Sequence, residues 1–425
     1  MSYQKSISYL YGLQKFGIKF GLAKISNLLA SLDNPQNKMP SIHIAGTNGK
    51  GSTAAFLSSI LSKAGYRVGV YTSPHLTSFT ERIKIGSQEI SKKDVDRLTI
   101  LLRKKANKID SITFFEFATA MALFYFAEKK VDLCILEVGM GGRLDATNVV
   151  FPLLSIITNI SKEHEYYLGN SLLKIANEKA GIIKKNSVLI SGATQAKVLS
   201  LFRKKCCTLQ TEFYCLESNF SFIAKKNNYL NYRGTNCNLE DIKIGLLGDH
   251  QLKNAAIALA AIEILRGKRY PIEDKAIYEG LSGVFWPGRL EVVNDSPLVI
   301  LDGAHNPVAM RNLKKALLKC FDFRKLIIVL GIMEDKNIMG MLKGIVPAAH
   351  RVILCKPNMD RAASTISLVR MIKNFKVKYH QIEDVKQATL YALSTAHKND
   401  LICVTGSLFT LGEARGIFKK KSRIN

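Results

Sequence analysis

A chain of 425 residues, 47% apolar and 8% aromatic, has the length of two or three domains and a composition that excludes disorder. Its 61 Lys and Arg against 34 Asp and Glu give +27, yet the basic residues are scattered without a long block beyond the tail Lys419-Lys420-Lys421, and no nucleic-acid motif occurs, so no nucleic-acid partner is expected. No stretch approaches the ~18 apolar residues of a membrane span, residues 1–10 lack a signal peptide's charged start, and eight dispersed cysteines without C-x-x-C fit packing in a reducing cytoplasm.

In chain order, residues 6–32 have the apolar spacing of one or two amphipathic helices, interrupted by Gly21-Leu22-Ala23-Lys24; packing against a sheet accounts for them. Residues 42–53 read Ile-His-Ile-Ala-Gly-Thr-Asn-Gly-Lys-Gly-Ser-Thr, and helical spacing follows over 54–64. That is a strand, a phosphate loop and a helix. Gly46, Gly49 and Gly51 let the backbone turn its N–H groups on a phosphate at the helix's positive end, Lys50 supplies a point charge, and Ser52 or Thr53 can offer a hydroxyl to Mg2+. Gly51 separates Lys50 from Ser52, so this is a variant of the usual P-loop. A nucleoside triphosphate is the expected ligand.

A second strand over 67–71 ends in Thr72-Ser73-Pro74-His75, where ligands bind in an open α/β sheet, although an ordinary turn would read the same. Thr113-Phe114-Phe115-Glu116-Phe117 opens a helix to about residue 127; the carboxylate among aromatics suggests a site wall. Residues 131–138 form a buried parallel strand ending in Glu137, and a Gly-rich run to Leu144-Asp145-Ala146-Thr147-Asn148 follows. An acid closing a strand beside a phosphate loop suits Mg2+. A strand over 153–159 leads to Glu163-His164, and a helix from Leu172 ends at Glu178-Lys179; singly, His164 and Lys179 carry no more than structural weight. Residues 189–243 are less regular and complete the first sheet. His250, Gln251 and Asn254 open an alanine-rich helix and could reach a base or ribose. Beyond a joint at residues 285–291 a second strand–helix alternation begins, with strands near 298–301, 326–330, 352–355 and 401–404, and Asp302-Gly303-Ala304-His305 at the end of its first strand.

Taken in order, these motifs resemble the folylpolyglutamate synthase and dihydrofolate synthase proteins of the Mur ligase superfamily. The resemblance runs from Gly21 to Gly406-Ser407-Leu408 and is carried by residues 46–52, Ser73-Pro74-His75-Leu76, residues 137–148, Glu178-Lys179-Ala180-Gly181-Ile182, Pro287-Gly288-Arg289 and Asp302-Gly303-Ala304-His305-Asn306-Pro307. It implies an α/β fold with an N-terminal P-loop ATPase domain of Mur ligase type over 1–286 and a smaller Rossmann-like C-terminal domain over 287–425. It also implies an ATP-dependent ligase that joins L-glutamate to dihydropteroate, to a reduced folate glutamate, or to both, through an acyl phosphate.

Carried over from the resemblance, Asn48, Gly49, Lys50, Gly51 and Ser52 hold the phosphates. Ser73 and Glu137 hold one Mg2+, His164 the other, and Lys179 is carbamylated. Asn254, Arg289 and Asp302 contact ATP, with His305 near the γ-phosphate or the glutamate. Gly21, Leu22, Ala23, Lys24, Thr113, Phe114, Phe115, Glu116, Leu144, Asp145 and Ala146 hold the pterin. Glu163 stands where the family commonly has Asp, which bears on how His164 is positioned. A monomer that closes on its substrates is expected. A Mur ligase with another carboxylate acceptor and a basic P-loop NTPase acting on RNA are the alternatives.

Overall fold

The protein is described by a computed structural model covering residues 2–17, 19–268 and 270–418, so Lys419, Lys420 and Lys421 lie outside the described residues. It has two compact units. The first takes the chain to Gly245 and again over Gln251–Val284; the second takes Leu246–His250 and the chain from Phe285 on. Leu246–His250 groups with the second unit, where Asp249 pairs with Lys319 at 2.6 Å and Gly248 packs against Ala316.

Among the described residues the first unit carries an eight-stranded sheet. Its strands are β1 Ser41–Ala45, β2 Val68–Tyr71, β3 Ile83–Ile85, β4 Gln88–Glu89, β5 Leu133–Glu137, β6 Leu154–Ile157, β7 Val188–Ser191 and β8 Glu212–Cys215, in the order β4-β3-β2-β5-β1-β6-β7-β8. Only β3 runs against the rest; it pairs antiparallel with both β2 and β4. The inner strands β1, β2, β5, β6 and β7 are buried along their whole length because helices cover both faces. β1 is central: Ile44 lies beside Glu137 of β5, and Ala45 beside Ile157 of β6. Chain leaves β1 toward β2 on one side and reaches β6 on the other, so the carboxyl ends of β1, β2, β5 and β6 open at a topological switch point. Two cores lie side by side on one face, one that includes Leu10, Leu28, Phe117 and Phe126 and one that includes Ile175, Ile182, Val198 and Phe202: Leu136 of the first is in register with His43, and Ile157 of the second with Ala45, two residues further along β1.

The N-terminal stretch is two helices, Tyr3–Gly12 and Ala23–Ala30, broken where Gly17 and Gly21 take positive φ. They pack on helices rather than on the sheet itself, against Lys92–Ala106 and Phe114–Glu128. Residues 189–243 resolve into β7, the helix Ala196–Thr208, β8 and a separate antiparallel sheet of β9 Ser221–Ala224, β10 Tyr229–Arg233 and β11 Asn238–Lys243.

Among its described residues the second unit is a six-stranded sheet ordered β12-β13-β17-β14-β15-β16, from β12 Glu291–Asp295, β13 Leu298–Asp302, β14 Leu326–Leu330, β15 Arg351–Leu354, β16 Lys378–Gln381 and β17 Leu401–Thr405. All its neighbours pair in parallel except β12 with β13. The edge strands β12 and β16 are absent from the sequence expectation. In β16, Lys378-Tyr379-His380-Gln381 is mostly exposed and has no apolar run to betray it.

Candidate active site

The helix Lys50–Lys63 starts directly behind Gly49, whose φ of 87° is open to glycine, and a Cβ there would strike Asn254 Oδ1. At Gly46, with φ 149°, a Cβ would strike Thr158 Oγ1. Gly51 and Ser52 are buried in the helix's first turn. The end of β6 holds the loop in shape. Thr47 N–H donates to the Asn159 carbonyl at 3.1 Å, and Asn48 N–H to Asn159 Oδ1 at 3.0 Å. Asn159 Nδ2 and Thr158 Oγ1 donate in return to the Asn48 carbonyl, at 2.8 and 2.7 Å. The backbone of Asn48 is thus occupied within the protein. Asn254 lies against the loop, its Nδ2 donating to Gln251 Oε1 at 2.9 Å. Thr158 and Asn159 were not singled out from the sequence, though polar side chains closing an apolar strand were the available signal.

Two lysines converge on one carbonyl. Lys50 Nζ donates to Gly46 O at 3.1 Å and Thr47 O at 3.3 Å, and Lys179 Nζ donates to Gly46 O at 3.0 Å. Lys179 is 4% exposed. Burial first, and then the Lys50 charge, push its pKa down to about 7, against a smaller upward pull from Glu163. Gly46, Lys50, Met140, Glu163, His164 and Lys179 line a cavity of about 10 Å³, the room of one water.

Glu137 and Ser73 meet at the neighbouring strand ends, where Ser73 N–H donates to Glu137 Oε2 at 3.3 Å. The glycine run beyond Glu137 folds onto the Lys179 segment. A Cβ on Gly142 would press on the carbonyls of Glu178 and Lys179, Arg143 N–H donates to the Glu178 carbonyl at 2.8 Å, and Arg143 Nη2 pairs with Glu178 Oε1 at 3.0 Å. Asn148 Nδ2 ties the Arg143 and Gly181 carbonyls together at 2.9 and 3.1 Å.

No group of three or more His, Cys, Asp and Glu side chains converges as metal ligands among the described residues. The donors expected for Mg2+ include only two of those types, Glu137 and His164, beside the Ser73 hydroxyl and Lys179. Such a set fits a hard cation that takes its other oxygens from phosphate and water, and it fits better once Lys179 is no longer an ammonium. Thr53 Oγ1, buried in the loop helix without a hydrogen-bond partner among the described residues, adds one unused oxygen.

The segments expected to hold an acceptor ring come together in this unit. Ala23–Ala30 packs against both Phe114–Glu128 and the turn Ala146–Val149. Gly21 and Leu22 are half-buried just before that helix, and Leu144 is half-buried in the turn. Lys24 Nζ donates to Ser111 Oγ at 2.8 Å. Glu116 is 4% exposed, and its carboxylate accepts the N–H and hydroxyl of Thr113, each at 2.8 Å, while its own N–H donates to Thr113 Oγ1. The acid among aromatics is therefore one half of a capping box. Phe115 lies against Gly139, and Phe114 meets Tyr11 at 5.9 Å, Phe79 at 6.0 Å and the Arg82 guanidinium at 5.1 Å. Tyr11 and Arg82 carried no signal of this in the sequence. Arg82 Nε donates to His75 Nδ1 at 2.8 Å; burial, then Arg82, lowers the His75 pKa to about 4.

In the second unit Asp302, 6% exposed, accepts Leu290 N–H and Ala304 N–H at 3.0 Å each. Burial raises its pKa, with Arg289 opposing. His305 Nδ1 is 2.8 Å from the Gly303 carbonyl, and a Cβ on Gly303 would come within 3.0 Å of Arg289 Nη1. Arg289, Asp302 and His305 are thus one cluster at the end of β13.

A glycine-rich loop with a lysine at a switch point, an acid and a serine on adjoining strand ends, and a buried lysine against the loop are the parts an ATP-dependent ligase needs, and the family matches give that class. Residues 44–262 match the Mur ligase middle domain and residues 288–408 the Mur ligase glutamate ligase domain. The chain is 35% identical to the dihydrofolate synthase/folylpolyglutamate synthase of Bacillus subtilis, covering 97% of this chain and 98% of that one. The folylpolyglutamate synthase of Mycobacterium tuberculosis complexed with ADP superposes with a TM-score of 0.90 at 32% identity, over 99% of this chain and 100% of that one. A bifunctional folylpolyglutamate synthase/dihydrofolate synthase from Yersinia pestis, complexed with AMPPNP and a Mn ion, gives 0.88 at 32% over 98% of each. The chain belongs to the Mur ligase family, in its dihydrofolate synthase/folylpolyglutamate synthase branch. No helix among the described residues is long and apolar enough to cross a membrane.

Proposed function

We propose that the protein ligates L-glutamate to dihydropteroate and to the γ-carboxyl of reduced folate glutamates, converting ATP to ADP and phosphate. The observation that carries this reading is the pair Lys50 and Lys179 on the Gly46 carbonyl, with His164 and Glu163 lining the same cavity. The acceptor carboxylate attacks the γ-phosphorus, forming the acyl phosphate as the bond to the ADP oxygen breaks. The glutamate amine then attacks the acyl carbon, phosphate leaves, and the amine gives up a proton. Lys50 and the N–H groups at the helix's positive end gather the phosphate charge, while Gly49, Gly51 and Ser52 let the backbone approach it. Asn254, Arg289 and Asp302 serve the nucleotide, and His305 the γ-phosphate or the incoming amine. Residues 21–24, 113–116 and 144–146 receive the pterin.

Ser73, Glu137, His164 and Lys179 would hold Mg2+ at two sites, which when bound screens the carboxylate from the phosphate. Lys179 is carbamylated: its amine adds to CO2, forming an N–C bond and releasing a proton, and an ammonium becomes an oxygen donor. Its burial beside a second lysine supports this, because a neutral amine is the nucleophile. With 13C-bicarbonate, a carbamate carbon signal is expected in the protein and absent from Lys179→Arg. A spectrum unchanged by that substitution removes the modification.

The protein acts as a cytoplasmic monomer without nucleic acid. The direct test measures ADP release with ATP, Mg2+ and L-glutamate, using dihydropteroate or tetrahydrofolate as acceptor, with products identified by mass. Turnover of both is expected; turnover of one leaves a single activity. If neither is consumed while RNA stimulates hydrolysis, the reading fails.

A further inference from the structure

His43 lies in the middle of β1, 0% exposed, where a parallel strand covered on both faces ordinarily carries Val, Ile or Leu. Its Nε2 is 2.8 Å from Thr147 Oγ1, and its Nδ1 is buried with no hydrogen-bond partner among the described residues. An unpaired buried nitrogen opposes stability, so packing does not explain a histidine here. Thr147, also 0% exposed, is 2.5 Å from Asp145 Oδ1 through its hydroxyl and 3.0 Å through its backbone N–H. Asp145 is 7% exposed and takes Met140 N–H on Oδ2 at 2.9 Å.

The proton count orients this chain. A hydroxyl has one proton, and the carboxylate, already accepting backbone N–H groups on both oxygens, receives it. Thr147 Oγ1 must then accept from His43, so Nε2 carries the imidazole proton and Nδ1 the bare lone pair. The direction is His43 Nε2–H to Thr147 O–H to Asp145. Hydrogen bonds to a carboxylate are stronger and more directional than neutral ones, and a donor that is itself held by a second donor loses its freedom to rotate away.

Resting on the acceptor-binding role given to residues 144–146, we infer that His43 is a positioning residue that acts through the Thr147 hydroxyl. It holds Asp145, and with it the turn carrying Leu144 and Ala146, in the shape that receives the acceptor's ring system. Because β1 runs on into the phosphate loop, the strand that aims the loop also sets the acceptor side.

The test compares His43→Leu, His43→Gln, Thr147→Val and Thr147→Ser in the full chain. It measures equilibrium binding of dihydropteroate and tetrahydrofolate without ATP, and then kcat and KM for acceptor and ATP. Removing the donor or the hydroxyl, in His43→Leu and Thr147→Val, is expected to weaken acceptor binding and raise acceptor KM about tenfold, with ATP KM changed less than about threefold. His43→Gln, whose amide can donate from the Nε2 position, and Thr147→Ser are expected to stay within about threefold of the parent. Nitrogen-15 shifts are expected to give the Nε2–H tautomer for His43. The inference is overturned if His43→Leu binds acceptor like the parent, if His43→Gln is as impaired as His43→Leu, if ATP KM rises in parallel, or if His43 carries its proton on Nδ1. A parent that binds neither acceptor overturns the proposed function and this inference with it, whereas normal parent binding with indifferent variants overturns the inference alone.

Discussion

Lys50 and Lys179 donate to the same carbonyl, and what separates their roles is burial. Lys50 stands at the helix start, half-buried, and keeps the freedom to turn its charge from the carbonyls of Gly46 and Thr47 to a phosphate. Lys179 has no such freedom, being enclosed at 4% exposure. Lys50→Met is accordingly expected to lower kcat/KM for ATP by about a hundredfold or more, the scale of losing one preorganised donor to developing charge, with an unchanged circular dichroism spectrum. A loss under about threefold would take Lys50 out of the phosphate site. At this scale the sequence was a good guide wherever a residue's chemistry is set by its immediate neighbours. Gly46 and Gly49 announced a tight loop, and contacts with Thr158 and Asn254 are what enforce it. For Glu116, an acid among aromatics suggested a site wall, and only the structure shows its partner to be Thr113, three residues back.

That pairing belongs to the helix Phe114–Glu128 as an element. Its N-terminal N–H groups have no partners one turn back, and the box formed by Thr113 and Glu116 supplies two of them. Thr113→Ala removes a cap and leaves the buried Glu116 carboxylate one donor short, a cost of about 1–2 kcal/mol. It should appear as a lower urea midpoint with an unchanged m-value. An unchanged midpoint with a raised acceptor KM would instead give the Thr113 hydroxyl to the substrate. Long apolar elements were readable from their spacing, and β1, β5, β6, β13, β14 and β17 lie close to their expected places. Short or polar elements were not. β4 has two residues, and the helix Lys92–Ala106 is rich in charge, with Val95, Leu98 and Leu102 buried as a narrow stripe.

Across the whole molecule, buried His43 and half-buried His250 make stability depend on pH, in the same direction as His75, whose pKa is likewise lowered to about 4. Burial, with Lys184 second, lowers the pKa of His43 to about 3; burial, with Arg289 second and Asp249 opposing, lowers that of His250 to about 4. Both start from 6.5, so as pH falls below that value the unfolded chain takes up protons that the folded chain refuses. Stability present above pH 6.5 is therefore lost as the pH falls toward 4, by about 1.4 kcal/mol per pH unit for each histidine. A urea midpoint that drops between neutral pH and pH 5 is expected, with a shallower drop in His43→Leu. Equal slopes in the two proteins would show that His43 charges without opposing the fold.

The sequence by itself determined the glycine-rich loop after β1, the acid at the end of β5 and the alternation of strands and helices in both units, because backbone angles and apolar periodicity are local properties. Only the tertiary structure decided which side chains meet. Lys179 reaches the Gly46 carbonyl 133 positions away, Asn159 braces Asn48 across 111, and His43 finds Thr147 across 104. Those meetings depend on β1 lying between β5 and β6, an order set by how the helices pack over the sheet, and no local pattern in the chain records it.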